Sequence, residues 1–161
     1  YATVSTDVTD EAGRSVVGAG YVVFSPTFRS GTLGAKVLRQ GYVAANNNNH
    51  VLRPAVAVNP QGRGAIAFTL VGPDHYPSAA FVAFDTFSTG SFIQLTRAGA
   101  FPEDGFTGYP GGFGPGVARW GDYSTAVAAS NGAVWMVTEY IPNAPRTEFA
   151  NWGTYIDRYM P

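Results

Sequence analysis

Cysteine is absent from the 161 residues, which excludes a disulfide framework, thiolate catalysis and any zinc site built on thiolates. Charge is sparse as well: Asp, Glu, Lys and Arg make up 13% of the chain and the formal net charge is −1. A balance so near zero gives no overall electrostatic footprint for nucleic acid or an anionic membrane. Lysine is almost missing, since nine of the ten cations are arginine and Lys36 is the exception. The guanidinium suits fixed, bidentate or stacked contacts better than an ammonium does. No apolar run approaches the roughly 20 residues of a membrane span. No segment keeps an i, i+3, i+4, i+7 apolar stripe for three turns, so no helix is expected. The opening "YATVSTDVTD" carries neither an initiator methionine nor a signal-peptide pattern, so the chain reads as a mature or excised piece of something longer.

What is present describes a turn-rich β-protein: 20 Gly, 11 Pro and 14% aromatics. Short alternating runs recur, among them "SVVGAGYVVF", "GAIAFTL", "AAFVAFD", "SFIQLT", "TAVAA" and "AVWMVTEY". Each is bounded by Gly, Pro, Asn or Asp, which is the strand signature. The runs also repeat as a set. "AVAVNPQGRGAIAF" (Ala55–Phe68) resembles "TAVAASNGAVWM" (Thr125–Met136), and "FVAFD" (Phe81–Asp85) matches "TYID" (Thr154–Asp157). "KVLRQG" (Lys36–Gly41) matches "QLTRAG" (Gln94–Gly99), which places Arg39 on Arg97. Self-similarity on this scale points to a repeat architecture.

The unit reads as four strands, about Arg53–Val58, Gly64–Leu70, Ala79–Asp85 and Ser91–Arg97. The expected fold class is therefore all-β, with β-propeller-type four-stranded antiparallel meanders. One segment over residues 1–161 holds about two and a half blades: remnants of late strands at 1–41, a blade at 53–97 and an incomplete blade at 119–161. A β-sandwich is the alternative, which accounts for the strands but not for the ordered matches. Propellers close with about four to eight blades. The expected partners are thus the remaining blades of a longer chain or other copies of this one. "GYVAANNNNH" and "AFPEDGFTGYPGGFGPGVA" fall between blades, where long loops carry function.

Polar residues cluster in two places. Around "RWGDYS" and "TEY" stand Arg119, Asp122, Tyr123, Glu139 and Tyr140; a hairpin around "ASNG" sets Asp122–Ser124 across from Thr138–Tyr140. A carboxylate pair beside a tyrosine and an arginine suits a glycoside or an acidic sugar. The competing reading is structural: aspartates that open a blade accept backbone N–H bonds, and Arg and Trp stack to seal blades. Asp74, His75 and Tyr76 occupy the turn "GPDHYPS", which Pro73 and Pro77 make rigid. No HxH or HExxH spacing appears, and no cofactor or metal is expected. The Asn46–Asn49 run reads as a loop, since calcium sites gather several carboxylates. Trp120, Trp135 and Trp152 are expected to pack between blades.

"RWGDYS…AVWMVTEYIPN…NWGTYI" resembles the terminal blade of exported bacterial propeller proteins related to the sialidase/BNR-repeat group. The likeness is good over Arg119–Ile156 and looser over Asn59–Asp85, where "GPDHYPSAAF" also looks like a segment from the same proteins. The Ser-x-Asp-x-Gly-x-x-Trp box is missing, and "SNGAVW" (Ser130–Trp135) keeps a shortened form of it. "TYID" stands where relatives carry Thr-Arg-Ile-Gly, which removes an arginine. The resemblance implies a secreted or cell-surface protein that binds a glycan-type ligand. The alternatives are a sialidase-like glycoside hydrolase fragment and a purely structural or adhesive domain.

Overall fold

The computed structural model describes residues 1–90, 92–103, 121–143 and 153–161. The described chain is all-β, with no helix and therefore none long and apolar enough to cross a membrane. It forms three antiparallel sheets, none of them closed. The first sheet holds β1 (Ala2–Thr9), β2 (Ser15–Arg29) and β3 (Thr32–Val43) in that order. The central sheet is a four-stranded meander of β4 (His50–Val58), β5 (Arg63–Gly72), β6 (His75–Asp85) and β7 (Gln94–Arg97). The third holds β8 (Thr125–Ala128), β9 (Val134–Tyr140) and β10 (Gly153–Tyr159).

One turn is used three times. Asp10, Asn59 and Ala129 each donate a backbone N–H to the carbonyl four residues on, at Arg14, Arg63 and Ala133. Gly13, Gly62 and Gly132 sit in each turn at φ 79, 77 and 86, where an L-residue is strained. The Asp10 carboxylate accepts from the Ala12 and Arg14 amides at 2.9 Å each. The Asn59 amide oxygen accepts from Gln61 and Arg63 at 3.0 and 3.1 Å. Ala129 has no such oxygen, and Asn131 substitutes by accepting from the Ala133 amide at 3.1 Å. The first-to-second hairpin of each sheet is thus closed by the same local chemistry.

The central sheet is covered on both faces, so β5 and β6 are nearly continuous runs of buried residues. Alternation sorts them by size. Ile66, Phe68, Leu70, Val82 and Phe84 face the first sheet, packing with Ala19, Val23 and Val43. Ala65, Ala67 and Phe81 face the third, against Val134 and Met136. The central and third sheets stack in the same sense: Thr69 Oγ1 donates to the Glu139 carbonyl at 2.9 Å, and Asn59 Nδ2 to that of Gly132 at 3.3 Å. The first sheet runs in the opposite sense. Tyr1 meets Thr86 at one end, hydroxyl to hydroxyl at 2.6 Å, and the Val17 amide donates to His50 Nδ1 at 3.0 Å at the other. We call the end with the Asn59–Arg63 turn the lower end, and the end with the β5–β6 turn the upper one.

Two features depart from expectation. Trp135, expected between blades, is 46% exposed on the outer face of the third sheet, with the Arg158 guanidinium 6.0 Å from its ring centre. Packing on that face needs a further layer, which the described residues do not supply. Trp120 and Trp152 lie outside the described residues. The second departure is the β2–β3 hairpin. Counted from the shared turn, Val23 corresponds to Gly72, where the central sheet simply turns at Pro73-Asp74. In the first sheet the pairing shifts register at Val23/Phe24 and then continues to the Arg29↔Thr32 pair. Every residue from 24 to 38 is exposed.

Candidate functional site

The upper end gathers the described site residues, Tyr123 apart, into two groups, one in each seam between sheets. In the first seam, Asn47 and Asn48 adopt left-handed backbone angles (φ 58 and 61), which asparagine tolerates better than most residues. They wind the loop so that Asn49 is buried, its Nδ2 donating to the Asn46 carbonyl at 2.7 Å and to Asp74 Oδ2 at 2.9 Å. The Asp74 amide donates back to Asn49 Oδ1 at 3.2 Å. The Asn49 hydrogen bond, followed by one from Asn47, holds the Asp74 carboxyl below the usual carboxylate range. Asn46 Nδ2 reaches the other way, to Glu11 Oε2 at 2.9 Å.

These groups line a depression of about 250 Å³ whose other walls are His75, Ile93 and Leu95. It shares Ala45, Asn46 and Ile93 with a second depression of about 470 Å³, which adds Asp10, Glu11, Tyr42 and Phe92. Asp10 is committed to Arg14 at 2.7 Å, and that bond keeps its carboxyl below the usual range. The Tyr76 ring is half exposed beside the turn. No cluster of three or more His, Cys, Asp or Glu able to hold a metal occurs among the described residues.

In the second seam, β8 and β9 pair with Thr125 on Val137. Continuing that register sets Asp122–Ser124 across from Thr138–Tyr140. The Asp122 backbone bonds to the Glu139 carboxyl. Glu139 Oε2 is shut off from solvent, with no hydrogen-bond partner among the described residues. A Cβ on Gly121 (φ 57) would meet that oxygen, and Arg53 Nη1 lies against the same spot. Arg53 is brought there by a β-bulge at Leu52/Ala55, where its own φ is 51. Desolvation raises the Glu139 carboxyl above its ordinary value, the Arg53 charge opposing this in part. Tyr140 and Tyr155 meet edge to face at 6.1 Å, with the Arg97 guanidinium 5.8 and 5.9 Å from their ring centres. Tyr123 is 83% exposed and takes no part, and Arg119 lies outside the described residues.

A carboxyl raised by burial binds its proton more tightly in the folded than in the unfolded chain. Stability therefore falls as pH rises from Glu139's ordinary value of 4.5 through its raised folded value. Glu139→Gln is expected to be more stable than wild type at neutral pH, by no more than about 1 kcal/mol after allowance for solvent screening. The gain should vanish below pH 4.5, which urea unfolding across pH measures. A variant less stable at neutral pH would show that the Arg53 attraction outweighs burial.

One contributor escapes sequence reading. Arg53 is called in by a bulge that no motif marks, whereas the Asn46–Asn49 run does signal left-handed backbone. Comparison with known proteins finds no matching family model, no matching curated protein and no matching solved structure.

Proposed function

We propose that the chain is a propeller-type segment of an exported, cell-surface protein, and that its upper end binds a glycan-type ligand. The central and third sheets act as consecutive blades. Their shared turn and their same-sense stacking support this. So does the apolar outer face of Val127, Trp135 and Ile156, which suits a following blade from a longer chain or another copy. The first sheet, stacked in the opposite sense, caps the central one.

The carrying observation is the pair of adjoining depressions in the first seam. Amides of Asn46, Asn47 and Asn49 stand with Asp74 and His75 beside the apolar walls of Ile93 and Leu95. Sugars present that combination in reverse, with hydroxyls for the polar groups and C–H faces for the apolar ones. Asp74 stays ionised and pre-oriented by Asn49, so it accepts ligand hydroxyls without reorganising. Hydrolysis is the weaker reading. Glu139 has the raised affinity for a proton that suits a general acid, but its Oε2 has no path to solvent among the described residues.

A glycan array probed with the chain tests the binding reading. Bound glycans are expected to weaken about tenfold in Asp74→Asn and in Asn46→Ala, the loss of roughly one charge-assisted hydrogen bond. Tyr123→Ala should leave binding unchanged. An array without hits, or hits indifferent to both seam variants, would leave a structural or adhesive role.

A further inference from the structure

We propose that the β2–β3 arm, residues 24–38, is a membrane-docking hairpin that lays its apolar face on an anionic lipid surface. The arm is a built element rather than a loose loop. Its tip is the two-residue turn Ser30-Gly31, with φ 48 and 80, whose left-handed angles match the twist of a hairpin. Its register sorts the paired side chains by face, and Leu38, 55% exposed at the bulge, falls outside the pairs. The Phe24↔Val37, Pro26↔Ala35 and Phe28↔Leu33 pairs fall on one face, and Ser25↔Lys36, Thr27↔Gly34 and Arg29↔Thr32 on the other. No described residue covers the apolar face: Phe28 and Leu33 are each 74% exposed and Val37 is 54% exposed. Because β3 re-enters the body at Arg39, which donates to the Asp85 carbonyl at the lower end, the arm stands clear beyond that end.

Charge selects the occupant. The near-zero net charge conceals a segregated chain, since no acid occurs between Glu11 and Asp74 while six cations do. Two of these, Arg29 and Lys36, lie on the polar face of the arm. An apolar face backed by cations and lacking any carboxylate suits lipid tails under anionic headgroups, where long basic side chains reach outward. Edge-on pairing with another strand is opposed by Pro26 and Lys36, which blunt the free edges. A second copy of the chain offers the wrong charge, because its open apolar face around Trp135 carries Arg158.

Cosedimentation of the full chain with vesicles decides the matter. Binding is expected to vesicles of phosphatidylcholine mixed with phosphatidylserine, and much less to phosphatidylcholine alone. Arg29→Gln and Lys36→Gln should each weaken it about fivefold, the share of one cation at an anionic surface. Phe28→Ser combined with Leu33→Ser should abolish it. The proposal is overturned if the wild-type chain ignores the mixed vesicles, if it binds both kinds equally, or if the double variant binds as well as wild type. A dimer in native mass spectrometry that the double variant dissolves, without vesicle binding, would instead make this face a contact between copies. None of these outcomes bears on the upper-end ligand site, which is tested separately.

Discussion

Replacing Phe68 with alanine is expected to cost about 3–5 kcal/mol, a large part of the roughly 5–15 kcal/mol that holds an ordinary domain together. The ring is 0% exposed and lies in the cluster that joins the central sheet to the first. What makes the loss large is the lack of anything to refill the space. Its cross-strand partner on β6 is Ala80, too short to reach in. On the β4 side the regular pairing is broken by the bulge between Leu52 and Ala55. A cavity that its walls cannot collapse into keeps its full cost. Trp135, the larger side chain, should lose far less on truncation, because nearly half of it already faces solvent. Urea unfolding of the two alanine variants checks the order. A loss at Phe68 smaller than that at Trp135 would place the principal core on the third sheet instead.

Much of this architecture can be read from the chain, and the failures have physical causes. Alternation with punctuating turns located the four central strands, three of them buried or half-buried, although the fourth is the shorter, largely exposed Gln94–Arg97 rather than Ser91–Arg97. The match of Ala55–Phe68 to Thr125–Met136 corresponds to two hairpins closed by the same turn. The third copy of that turn, "DEAGR" at Asp10–Arg14, is equally legible once "NPQGR" is set beside it: an Asx residue, glycine three places on, then arginine. The sense in which the first sheet stacks is not legible, because a face of alternating apolar residues packs equally well in either direction. Nor is the exposure of Trp135, which depends on whether another layer follows. Among site residues, the Asp122 backbone bonds to the Glu139 carboxyl, within one residue of where hairpin register sets it, while Tyr140 turns to Tyr155 and Arg97. The joining of Asn49 to Asp74 depends on how a left-handed loop folds over a turn in the next hairpin, which strand periodicity does not encode.

The matched arginines Arg39 and Arg97 give the last test, because the repeat equates them and the surroundings do not. Each crosses a seam to lie over two rings: Arg39 over Tyr21 and Phe84 at 5.0 and 5.4 Å, Arg97 over Tyr140 and Tyr155. Arg39 does more than stack. Its Nη1 donates to the Asp85 carbonyl at 3.0 Å, and its Nη2 donates to the Tyr21 hydroxyl at 2.8 Å and to Thr89 Oγ1. Truncation would take the donor from the Asp85 carbonyl and leave the Tyr21 and Thr89 hydroxyls with only their mutual bond at 3.2 Å in a partly buried seam, so Arg39→Ala should cost about 2 kcal/mol. Arg97 lies on an exposed position of β7 and, among the described residues, offers stacking alone, at a longer distance. Its loss should cost no more than about 1 kcal/mol. Thermal unfolding of the two variants under one set of conditions reads the difference directly. Equal losses would mean that the rings, rather than the hydrogen bonds, hold both seams. The arginine would then be a sealing device common to both seams, and Asp85 and Thr89 would be incidental to it.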